Sequence, residues 1–101
     1  MENQFFNLFK EIIEDKKKEG IAEFLINLED KRKKIGEESQ EGIALFNHQK
    51  WIIKELPLDN LFWILRKISM MGKERDKYKN LYNRISYRIG EEMLLLKKTG
   101  I

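Results

Sequence analysis

Residues 61–96 read LFWILRKISMMGKERDKYKNLYNRISYRIGEEMLLL, and this stretch, which follows the chain's one proline at Pro57, decides the fold class. With Leu61 at heptad position a, the a positions are Leu61, Ile68, Arg75, Tyr82, Ile89 and Leu96, and the d positions Ile64, Met71, Tyr78, Ile85 and Glu92. Nine of these eleven are apolar or aromatic, where a hydrophobic fraction of 42% would fill about five. A seam repeating every ~3.5 residues marks a helix that lies along a partner helix. The sequence therefore predicts a long C-terminal helix over about residues 59–98. Gly72 interrupts it at a cost of about 1 kcal/mol relative to alanine and marks a kink or a break.

The two ends of this stretch differ. Leu61, Phe62, Trp63, Ile64 and Leu65 are apolar on every side of a helix, which predicts cover from several directions and a core position for Trp63. Beyond Met71 only one face stays apolar, so residues 73–98 are expected to form a dimerisation segment. Met71, Tyr78, Tyr82, Ile85, Ile89 and Leu96 would line its interface with a second copy.

Upstream, Phe5, Leu8, Phe9, Ile12 and Ile13 share a helical stripe that runs into Lys16, Lys17, Lys18 and Gly20. A second stripe, Ile21, Phe24, Leu25 and Leu28, runs into Lys31, Arg32, Lys33, Lys34 and Gly36. Cations in a last turn oppose the helix dipole and glycine beyond it takes a left-handed conformation, so two short helices are expected here. Gly36 to Gly42 reads as an acidic surface turn. In the next segment Leu45, Phe46, Ile52, Ile53 and Leu56 share a helix face, while a short hairpin at 43–55 is the alternative. Helix is preferred because an isolated hairpin is marginal in water. The whole is an all-α small helical bundle, one domain over residues 1–101.

Composition narrows the classes of function. Charged residues make up 37% of the chain, yet apolar residues recur at helical spacing, which describes a folded domain rather than a disordered one. The absence of cysteine excludes disulfides, thiol nucleophiles and cysteine metal sites. No run approaches the roughly 20 apolar residues of a membrane span. Met1 to Lys10 lacks the basic start and apolar core of a secretion signal, so no membrane partner and a cytoplasmic location are expected.

The net charge of +3 hides an asymmetry: residues 1–57 hold ten basic and twelve acidic side chains, residues 58–101 ten and five. Within the basic half, Arg66, Lys73, Lys77, Arg84 and Arg88 are spaced seven, four, seven and four residues apart, one stripe with Tyr87 beside it. Such a stripe can follow a phosphate backbone, and equally it is the solvated face of a helix.

Catalytic signatures are missing from the sequence. His48 is the only histidine, no orienting carboxylate is identifiable for it, and a lone histidine without cysteine makes no zinc cluster. No glycine-rich phosphate loop or nucleophile motif occurs, so no catalytic, cofactor-binding or metal residue is assigned. The expectation is a small non-enzymatic helical interaction protein, an adaptor or regulator. It would bind a protein partner through helices and act as a homodimer. A nucleic-acid-binding regulator using Arg66, Lys73, Lys77, Arg84, Arg88 and Tyr87 is the alternative.

Overall fold

The computed structural model describes the backbone of residues 2–98 and the side chains of residues 13–97. Helix α1 (Glu2–Ile35) is followed by α2 (Gln40–Glu55), α3 (Leu58–Ser69), a 3₁₀ segment (Gly72–Tyr78) and α4 (Lys79–Lys98). No strand occurs among the described residues, so the all-α reading holds and residues 43–55 are helix rather than hairpin.

The two short N-terminal helices expected from the sequence are instead one helix of 34 residues that passes through Gly20. Side chains around Gly20 are held by α3. Lys18 Nζ lies 3.3 Å from Asp59, Glu19 accepts from Trp63 Nε1 at 3.0 Å, and Glu19 also pairs with Lys67. Such anchoring outweighs a glycine penalty of about 1 kcal/mol. The second lysine–glycine signature does end the helix. Arg32, Lys33 and Lys34 fill its last turn, and Gly36 adopts φ +108°. The stripe Phe5, Leu8, Phe9 and Ile12 lies outside the described side chains.

Ser39 then starts α2. Its hydroxyl accepts from Gly42 N at 3.0 Å and donates to Gly36 O at 2.7 Å, tying the turn to the new helix. Pro57 occupies the cap position of α3 without a side-chain cap bond, and Asp59 accepts from its neighbour Asn60 N at 3.0 Å.

The C-terminal stretch is helical on either side of Gly72, whose φ of +64° supplies the break marked in the sequence. Its seam has found its partner within the chain. Leu61, Ile64 and Ile68 from α3 join Tyr78, Leu81, Ile85 and Ile89 in one buried cluster, with Ala22, Leu25 and Ile26 from α1 and Ile53 from α2. Polar contacts fix the directions. Lys18 meets Asp59 and Glu23 meets Lys67, so α3 runs parallel to α1. Arg84 meets Gln49 and Arg88 meets the Lys54 carbonyl, so α4 runs parallel to α2. Phe46 beside Arg32, with Gln49 on the Leu25 carbonyl, makes α2 antiparallel to α1.

Cover of α3 is one-sided, against the expectation for Leu61 to Leu65: Leu61 and Ile64 are fully buried, Trp63 and Leu65 partly, and Phe62 is half exposed. On α1 the buried stripe is Ala22, Leu25, Ile26 and Glu29, one register step from the one read in the sequence, and Phe24 is half exposed. No helix among the described residues is long and apolar enough to cross a membrane.

A candidate binding groove between α2 and α4

Glu29 sits at a core position of α1 and is fully buried, as is Gln49 on α2. A buried carboxylate needs charge and hydrogen-bond partners, because desolvation otherwise costs several kcal/mol or more. Two arginines meet it. Arg32 Nε donates to Glu29 Oε1 at 2.8 Å, and Arg84 Nη2 reaches the carboxylate at 3.4 Å. Arg84 Nη2 also donates to Gln49 Oε1 at 3.0 Å, and Gln49 Nε2 donates to the Leu25 carbonyl at 3.3 Å. Phe46 completes the cluster, with the Arg84 guanidinium 4.6 Å and the Arg32 guanidinium 5.5 Å from its ring centre. Glu37 lies 3.6 Å from Arg32 Nη2, so a second carboxylate faces the pair of cations from the turn. Burial pulls the Arg84 guanidinium below its ordinary value, the Glu29 charge opposes that shift, and Arg32 adds to it. Arginine stays cationic through such shifts.

Two members of this cluster, Phe46 and Arg84, line a groove of about 550 Å³. One wall is α2, through Phe46, Lys50, Ile53 and Lys54; the other is α4, through Arg84, Tyr87, Arg88 and Glu91. Arg88 crosses its end, donating to the Lys54 carbonyl at 3.2 Å and pairing with Glu92. Three guanidinium nitrogens here, Arg84 Nε, Arg84 Nη1 and Arg88 Nε, are buried and have no protein acceptor.

The residues singled out in the sequence are dispersed by the fold. Arg66, Lys73 and Lys77 are exposed, Arg84 and Arg88 turn into the bundle, and Tyr87 stands on the groove rim at 72% exposure. The basic stripe is therefore not one continuous face. The break at Gly72 separates Arg66 from the rest, and the two C-terminal arginines have carboxylate partners. Of the residues expected at a dimer interface, Tyr78, Ile85 and Ile89 are buried in the chain's own core. The Tyr78 hydroxyl donates to Asp30 at 2.9 Å, and burial first, then this carboxylate, push its pKa up to about 12. Met71 and Tyr82 are partly buried, and Leu96 is 49% exposed. His48 is exposed, with its ring edge-on to Phe24.

Sequence reading missed Glu29, Arg32, Gln49 and Phe46 as a unit. The available signal was a carboxylate three residues beyond Ile26 and four beyond Leu25, inside an apolar stripe. No protein-family model, curated protein or solved structure matches the chain.

Proposed function

We propose that the chain is a small non-enzymatic helical interaction protein of the cytoplasm, an adaptor or regulator that binds protein partners and acts as a homodimer. The observation that carries this reading is the end of the bundle beyond the α2–α3 turn. Lys18 and Arg88 mark the level of that turn, through their contacts with Asp59 and with the Lys54 carbonyl. The α1 residues before Lys18 and the last residues of α4 extend past it in the same direction. Met93, Leu94 and Leu95 there are each more than half exposed, and Ile13 is 44% exposed.

Consecutive residues on a helix point about 100° apart, so three apolar neighbours in a row spread around α4 and call for cover from more than one side. The radius of gyration is 16.0 Å. A compact chain of this length is expected near 13 Å, so helix ends stand clear of the core. A two-fold partner presenting the same surface would enclose both ends.

The test is molar mass in solution by light scattering and sedimentation. Wild type is expected to be a dimer at tens of micromolar. Met93→Glu with Leu95→Glu is expected to give a folded monomer, because both side chains already face solvent within one chain. A monomeric wild type at several hundred micromolar, or a double variant with unchanged mass, would refute dimerisation by this end.

A further inference from the structure

We infer that the groove between α2 and α4 receives an acidic amphipathic helix from a partner protein. This rests on the chain being a protein-binding module, though not on its dimerisation.

The first argument is shape. Phe46 and Ile53 on one wall, and Arg84 and Glu91 on the other, are each seven residues apart. Both walls therefore run about two helical turns, roughly 10 Å, side by side. The trough is open along its length, for Lys50, Lys54, Tyr87 and Glu91 are all exposed. A small ligand normally has about 70–90% of its surface enclosed, which an open trough does not supply, whereas a helix lays down one face and leaves the other in water. Phe46 and Tyr87 offer contact to apolar side chains on such a face.

Charge supplies the second argument. Four cations line the trough, and since Arg84 and Arg88 on α4 are already paired with Glu29 and Glu92, the exposed excess is Lys50 and Lys54 on α2 against the carboxylate of Glu91. A carboxylate is the complementary group for these two exposed ammonium groups. A nucleic-acid duplex fits poorly, since Arg84 lies against the Phe46 ring and Arg88 is drawn to the Lys54 carbonyl and Glu92, neither standing on a convex face open to phosphates.

The experiment titrates a fluorescein-labelled, end-blocked peptide of 16 residues into unlabelled protein, read by anisotropy at ~50 mM salt. The peptide carries leucines at i, i+4, i+7 and i+11 and glutamates beside them; a twin carries glutamine for every glutamate. The acidic peptide is expected to bind with Kd of tens of micromolar, to weaken about tenfold or more with the twin, and to weaken similarly by 0.3 M salt. Lys50→Glu with Lys54→Glu should abolish the preference for the acidic peptide, with helix content unchanged by circular dichroism.

No binding of the acidic peptide at 1 mM, equal affinity for the two peptides, or displacement by a 20-base-pair duplex at micromolar concentration would each overturn the assignment. The same titration on Met93→Glu/Leu95→Glu protein keeps the two readings apart. Peptide binding by a monomer leaves the groove standing without the dimer, and a dimer that binds neither peptide leaves the dimer standing without the groove.

Discussion

Replacing Gly42 by alanine puts a methyl group where a neighbouring turn already stands. An ideal Cβ there would lie 2.1 Å from the Gly36 carbonyl oxygen and 3.1 Å from the Glu37 carbonyl oxygen. Both are backbone atoms, so no rotamer change relieves the contact. The turn has to move, and with it go the bonds Ser39 makes to Gly36 O and from Gly42 N. Loss of an N-cap costs about 1 kcal/mol and overpacking about 1–3, against a gain of about 1 from replacing glycine in a helix. Gly42→Ala should therefore lose about 1–3 kcal/mol, with Tm falling by about 4–8 °C per kcal/mol in a domain of this size.

Gly20 is the internal control. It too lies within a helix, but nothing stands within 4 Å of its would-be Cβ. Gly20→Ala should gain up to about 1 kcal/mol. Urea unfolding of both variants at one fixed protein concentration decides the matter, because dimerisation makes apparent stability concentration-dependent. A Gly42→Ala protein at least as stable as wild type, or two glycine variants shifting in the same direction, would refute the argument.

Two further predictions concern buried polar groups. Glu29→Leu leaves Arg32 and Arg84 facing each other without their carboxylate and should cost about 3–5 kcal/mol in urea, part of it recovered when Arg84→Met is added; strictly additive effects would show that the pair is not coupled. Tyr78 is held in its neutral form in the fold, with a pKa raised to about 12. An unfolded tyrosine ionises near pH 10, so between about pH 10 and 12 the native state holds the proton and the unfolded state does not. The stability Tyr78 confers is complete below pH 10 and declines across that window. Wild type should lose more stability than Tyr78→Phe between pH 9 and 11, and identical losses would rule the linkage out.

Local chemistry was readable in the sequence wherever it acts alone. Gly72 could be marked as a break because positive φ is a property of one residue, and Gly36 closes α1 for the same reason. The apolar seam from Leu61 was likewise real, since Leu61, Ile64, Ile68, Tyr78, Ile85 and Ile89 are all buried. Periodicity names the face that wants a partner but not which helix arrives. Once the chain folds back at Gly72, α4 packs against α3, and much of the face reserved for a second copy is already covered. Gly20 misled for a related reason: a lysine run before glycine looks the same whether or not α3 supplies Asp59, Trp63 and Lys67 to hold the helix through it. The dispersal of the basic stripe has the same origin, because its spacing was read along one helix while the Glu29 that draws Arg84 inward is 55 residues away.

The 3₁₀ segment between α3 and α4 makes α4 separable in principle. Lys73, Glu74, Arg75, Asp76 and Lys77 are all exposed, and hydrogen-bond geometry in such a segment is poorer than in an α-helix. Three of the five are cleavage positions for a trypsin-like protease at an accessible site between two elements that share a core. A chain nicked there would still hold α4 by Leu81, Ile85 and Ile89, and by the Arg84–Glu29 pair across the interface. The covalent link through 73–77 and the core contacts of α4 are thus two separate ties between α4 and the rest of the bundle.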